Sequence, residues 1–158
     1  MVLTDWHRLL TTAVGFQLRM AATEEELAFY EELLQATLPL QLRRLYLVSD
    51  GVYDERGRWF VVWPLAALPG RNELDWSKDG PRRRELVAFG DDGTGGPFCV
   101  PRDGGHGVFL WDALTPAPLW LANDVGDFWT GRQRLAQGGA AVKDRPAGTG
   151  PFDQVGAA

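Results

Sequence analysis

One cysteine, two histidines and no long apolar run set the first limits on this chain. With Cys99 alone no internal disulfide can form, which fits a reducing compartment. His7 and His106 stand far apart, so the paired histidines of a helical HExxH zinc site are absent. No uninterrupted apolar stretch approaches the roughly 18–20 residues of a membrane-spanning helix. The N-terminus, Met1-Val-Leu-Thr-Asp-Trp-His-Arg8, lacks the basic start and apolar core of a secretory leader. A soluble, cytoplasmic protein with no membrane partner is expected. Positive charge is also short: 16 Lys and Arg against 21 Asp and Glu give a net charge of −5. Phosphate contacts rest on Lys and Arg, which disfavours nucleic acid and suits a basic protein partner.

What is present is an ordinary globular balance, with 45% hydrophobic and 23% charged residues over 158 positions. That length is enough for one domain with a real core, expected over residues 1–136. Residues 3–20 place Leu3, Trp6, Leu10, Val14 and Leu18 at spacings of three and four, which predicts a first helix capped by Thr4 or Asp5. Gly15 weakens it, at about 1 kcal/mol relative to Ala. Thr23-Glu-Glu-Glu26 is a capping box at the head of a second helix with an apolar stripe of Leu27, Tyr30, Leu33 and Leu34. Leu38-Pro39 interrupts it, and a third helix should run from about Pro39 to Ser49, stopped at Asp50-Gly51. Leu42, Leu45 and Tyr46 should face inward.

The pattern then turns to strands. Trp59–Trp63 is aromatic and β-branched, after a polar turn over Tyr53–Arg58. Leu65–Leu68 should form a short helical turn, and residues 69–84 a long surface loop holding Asn72, Trp76 and Arg82–Arg84. Leu86–Val100 reads as a hairpin, followed by strands at Val108–Trp111 and Leu119–Leu121. Asp124 caps a last helix with Val125, Phe128 and Trp129. Residues 137–158 are rich in Gly, Ala and Pro, too poor in apolar surface to offset their ordering entropy, so a disordered tail is expected. Connections between strands are mostly too short for helical crossovers. The expected fold is therefore α+β: a mostly antiparallel twisted sheet of about four to six strands with helices packed around it.

The hairpin turn, Phe89-Gly-Asp-Asp-Gly-Thr-Gly-Gly-Pro97, has the glycines of a phosphate loop but not its charge. Asp91 and Asp92 would repel a phosphate, and no helical pattern follows. It also lacks the alternating ligands and distal Glu of a calcium loop. No cofactor or metal is expected, and Cys99, in an apolar strand, reads as a buried small hydrophobe.

Taken in order, these pieces resemble the SUKH superfamily, the Smi/Knr-like domain, over residues 23–131. The resemblance rests on the Glu-rich helix before Leu38-Pro39, the helix ending at Gly51, and the strand running into Trp63-Pro64-Leu65 with Asn72 beyond it. It continues with Phe89-Gly90-Asp-Asp-Gly93-Thr-Gly95 and a last helix holding Asp127-Phe128. The helix end departs from the family in having Asp50 where Asn is commoner, and Pro97 displaces the aromatic Phe98. The resemblance implies a non-enzymatic protein-binding domain. Bacterial members are mostly immunity proteins that neutralise toxins by stoichiometric binding, and fungal relatives are regulatory scaffolds in cell-wall and signalling control. On it, Leu38, Pro39, Gly51, Trp63, Pro64, Phe89, Gly90, Gly93 and Gly95 are structural motif residues.

The candidate partner-binding residues are Asp91, Asp92, Thr94, Trp59 and Trp76. The two acids could face a basic toxin surface; the competing reading makes them turn residues bonding nearby N–H groups. Gly90, Gly93, Gly95 and Gly96 are expected to supply positive φ. Trp59 and Trp76 sit at strand-edge and loop positions, where exposure suits an interface anchor. Trp63, Trp111 and Phe89 belong to the core. The five glutamates of Glu24–Glu32 could form a second acidic contact face; the competing reading, which is preferred, is a solvated helix face with a capped start.

Overall fold

The computed structural model describes residues 4–77, 81–111 and 117–136. In order the elements are α1 (Trp6–Thr12), β1 (Phe16–Leu18), α2 (Glu24–Leu34), α3 (Leu40–Tyr46), β2 (Val52–Asp54) and β3 (Trp59–Val62). A 3₁₀ turn at Leu65–Ala67 leads into α4 (Leu68–Trp76), and a second at Pro81–Glu85 into β4 (Leu86–Asp91). β5 (Pro97–Pro101), β6 (Val108–Leu110), β7 (Leu119–Ala122) and α5 (Val125–Ala136) complete the set. The expected α+β class is correct, but the sheet has seven strands among the described residues rather than four to six. They lie in sequence order, each antiparallel to the next.

The two extra strands, β1 and β2, come from segments read otherwise. The first helix ends at Thr12; Gly15, at φ +88°, turns the chain, and Phe16–Leu18 pairs with Val52–Asp54. Val14 is 79% exposed, so the stripe over residues 3–20 breaks there, and Leu3 lies outside the described residues. Asp5 is the cap, its Oδ1 accepting from Arg8 N–H at 3.1 Å.

α2 forms as its sequence requires. Thr23 Oγ1 accepts from Glu26 N–H, Glu26 Oε1 accepts from Thr23 N–H, and three glutamates occupy the positive end of the dipole. Leu27 and Leu34 are buried, whereas Leu33 points outward. Leu42, Leu45 and Tyr46 of α3 are fully buried. The Tyr46 hydroxyl donates to Trp63 O at 2.7 Å, and burial, then Asp50, pushes its pKa well above the ordinary tyrosine value. Gly51 closes this corner at φ +103°, where a Cβ would stand 3.0 Å from Pro64 N. Asp50 Oδ1 accepts from Leu65 N–H at 2.8 Å.

The segment expected as a surface loop is α4. Its inward residues are Leu68, Asn72 and Trp76, one helical turn apart. β3 leaves the sheet after Val62, which pairs with Gly90, and Trp63 N–H makes a last bond to Phe89 O. Beyond that point α4 takes its place. Asn72 Nδ2 donates to Ala88 O at 3.0 Å, Asn72 Oδ1 accepts from Ala88 N–H at 2.7 Å, and Trp76 Nε1 donates to Leu86 O at 2.9 Å. The spacings match: four helical residues rise about 6 Å and two strand residues about 6.7 Å.

β4 and β5 are buried from Leu86 to Gly90 and from Pro97 to Pro101, so both faces of the sheet centre are covered. Phe128 of α5 meets Phe98 at 4.7 Å and Phe89 at 5.8 Å between ring centroids. Trp129, one residue on, lies 5.1 Å from Phe16 on β1. A flat seven-stranded sheet would be about 29 Å wide. The sheet therefore curls around α5, which touches both edge strands. The expected tail, 137–158, lies outside the described residues.

Candidate protein-interaction site

Antiparallel pairing of β2 with β3 and of β4 with β5 brings two turns to the same end of the sheet. In the first, Asp54 Oδ1 accepts from Arg56 N–H at 2.9 Å and Gly57 N–H at 3.0 Å. In the second, Asp92 Oδ1 accepts from Thr94 N–H at 2.8 Å, the Thr94 hydroxyl at 2.7 Å and Gly96 N–H at 3.0 Å. Asp91 accepts from Gly93 N–H. Trp59 joins the turns: it is half-buried, and its Nε1 donates to Asp91 O at 3.0 Å. A Cβ on Gly93 would come within 3.1 Å of the indole, and Gly93 is at φ +88°.

Of the candidate residues, Asp91, Asp92, Thr94 and Trp59 thus form one cluster. Trp76 does not join it: it is 8% exposed, bonded to Leu86, with the Arg102 guanidinium 4.5 Å over its ring. The exposure that made it an interface candidate is not there. Both aspartates do the work of turn residues and remain partly exposed. Partial burial works to raise the Asp92 pKa, but the bonds from Thr94 and Gly96 outweigh it and the carboxyl lies below its ordinary value. Gly93 and Gly95 have the positive φ expected, whereas Gly90 and Gly96 do not. Gly90 is required by crowding instead, because a Cβ there would lie 1.8 Å from Val61 O.

This end of the sheet is not purely acidic. Asp54, Glu55, Asp91 and Asp92 share it with Arg56, Arg58 and, from α5, Arg132. Arg132 lies 5.1 Å over Phe98; burial lowers its pKa while Asp54 and Asp92 hold it up. The turn sequence carries no base, and nothing local to it announces an arginine 40 residues later.

Other residues have structural duties. Leu38 is buried and its N–H donates to Glu31 Oε2 at 2.8 Å; Pro39 and Pro64 start α3 and the 3₁₀ turn. Trp63, Trp111 and Phe89 are buried, as expected. Arg102, which the sequence did not single out, ties the end of β5 to α2 through Leu34 O and Gln35 O and to Arg84 O. Such a cation at a helix C-terminus offsets its partial negative charge. Burial first, then Asp75, raises the Cys99 thiol pKa, with Arg83 opposing. Among the described residues no group of three His, Cys, Asp or Glu is placed to hold a metal, and no helix is long and apolar enough to cross a membrane.

No individually curated protein matches the chain. The model of the SMI1 / KNR4 family (SUKH-1) matches residues 21–131, from the lead-in to α2 through the first half of α5. That span covers most of the chain and every motif position from Leu38 to Gly95, and the chain belongs to the SMI1 / KNR4 family (SUKH-1).

Proposed function

We propose that this protein is a cytoplasmic, non-enzymatic binding domain of the immunity type, which neutralises a cognate toxin by forming a stoichiometric complex. The observation that carries the reading is the family match, which is consistent with a protein-binding role. Occlusion of a toxin's active site or substrate groove needs shape and charge, not covalent chemistry. The Trp59–Asp91–Asp92–Thr94 cluster offers an aromatic held rigid by a hydrogen bond beside two partly exposed carboxylates.

The full tagged chain is used as bait in native lysate, and the recovered partner is assayed. One stoichiometric partner with a toxin domain, inhibited on addition of this protein, supports the proposal. Recovery of kinases or envelope-synthesis proteins without a toxin replaces it with the regulatory-scaffold reading. Asp91→Asn/Asp92→Asn then tests the cluster. Asn keeps the oxygen that each turn requires and removes only the charge. Inhibition should weaken and lose part of its salt dependence; unchanged affinity removes this turn from the contact.

A further inference from the structure

The outward face of α2 is more apolar than packing on the core requires, the one ring contact there among the described residues being Phe29 edge-on to Tyr30 at 5.1 Å. Phe29 is 56% and Leu33 55% exposed, although a helix packed on a core needs only its inward stripe to be apolar. At 3.6 residues per turn, Glu25, Phe29, Glu32 and Leu33 share an arc of about 100° and a length of about 12 Å. Leu27 and Leu34, both buried, lie on the opposite side. The other glutamates of the helix are occupied. Glu24 pairs with Arg43 at 3.0 Å, Glu26 closes the capping box, and Glu31 accepts from Leu38 N–H and lies 3.6 Å from Arg43. Glu25 and Glu32 are exposed, and among the described residues their carboxylates have no hydrogen-bond or ion-pair partner. Two large apolar groups therefore stand beside two uncommitted carboxylates on a helix that has no base of its own.

We infer that this face of α2 docks a basic protein surface, one with an apolar pocket rimmed by Lys or Arg. The inference rests on the proposed binding role and names a contact surface separate from the turn cluster. Charge selects the occupant. Nucleic acid and anionic lipid are repelled by Glu25 and Glu32, and a second copy of the chain would bring the same carboxylates against each other. A basic protein surface meets both demands, burying Phe29 and Leu33 and pairing the acids.

The test titrates the isotope-labelled full chain with an amphipathic Leu/Lys peptide of about 18 residues, following backbone amide shifts. A Leu/Glu peptide of the same pattern is the control. Shifts should concentrate on residues 24–34. Phe29→Ser/Leu33→Ser should weaken binding at least tenfold, and Glu25→Gln/Glu32→Gln several-fold, as should added salt. The second variant alters no apolar packing, so it remains informative if the first is poorly folded. Shifts centred on residues 91–96, or equal binding of the Leu/Glu peptide or of both variants, would overturn the inference. Its fate is separable from that of the proposed function. A Phe29→Ser/Leu33→Ser protein that folds and still inhibits a captured toxin fully overturns this surface and leaves the immunity role standing. Capture of no toxin, with peptide shifts confined to α2, does the reverse.

Discussion

Replacing Asn72 with alanine tests whether α4 stands in for a missing strand beside β4. Asn72 is fully buried, as is the Ala88 backbone it serves, and its amide meets Ala88 N–H at 2.7 Å, Ala88 O at 3.0 Å and Leu68 O at 2.9 Å. Alanine leaves both Ala88 groups without partners where water does not reach. Each orphaned group costs about 1–3 kcal/mol, so the loss should be about 2–5 kcal/mol. That is a large part of the roughly 5–15 kcal/mol that holds a domain together. With a urea slope of about 2 kcal/mol/M, the midpoint should fall by about 1–2.5 M at unchanged slope. Trp76→Phe, which frees one backbone acceptor, Leu86 O, and shrinks the buried ring beneath Arg102, should cost about 1–3 kcal/mol. Asn72→Asp should cost no less than the alanine, because it sets a buried carboxylate against the oxygens of Leu68 and Ala88. An Asn72→Ala loss below about 1 kcal/mol, with the slope preserved, would refute the reasoning: the edge would then be held by packing alone.

Gly90→Ala should cost about 3 kcal/mol or more, since its Cβ meets a backbone oxygen that cannot swing away, while Gly70→Ala in the open first turn of α4 should gain about 0.5–1 kcal/mol; thermal melting of both variants checks the contrast. Asp92 has a folded pKa below its ordinary 3.8, so the unfolded chain binds more protons and the stabilisation is present above that value and lost as pH falls below it. Melting between pH 2.5 and 5 should therefore show a shallower acid slope for Asp92→Asn, and an identical slope would count against the turn geometry. Cys99, buried and with its thiol pKa raised, should react with a disulfide reagent at least a hundredfold more slowly in native than in denaturant-unfolded protein; rapid native labelling would contradict its placement.

Elements specified by local chemistry were legible in the sequence. The capping box fixed α2, the Leu38-Pro39 break set the start of α3, and paired apolar runs around a glycine turn gave β4 and β5. Elements specified by distant partners were not. Phe16–Leu18 is a strand because Val52–Asp54 lies beside it, and only Gly15 hinted at the break. α4 was missed for a different reason. Leu68, Asn72 and Trp76 have the right four-residue spacing, but a search for apolar periodicity passes over an asparagine that is buried to bond backbone. The site shows the same division. Asp91, Asp92 and Thr94 are adjacent in sequence, whereas their link to Trp59 spans 32 residues and exists only through sheet pairing. On α2 the solvated reading was preferred to an acidic contact face because its glutamates were weighed without Phe29, and Leu33 was assigned to the core.

The contact of Phe16 with Trp129 also has a consequence for how the chain is made. Each strand of the meander pairs with the one before it, so the sheet can assemble as it emerges, although β1–β2 and β3–β4 each close over intervening helices. Phe89 and Phe98, however, find their α5 partner only when Phe128 appears, and Phe16 waits more than a hundred residues for Trp129. At about 5–20 residues per second that wait is on the order of 5–20 seconds. At its end, with β7 made, the inner face of the finished sheet still lacks the helix that covers its aromatics. The nascent protein should then be most dependent on chaperones just before α5 is translated.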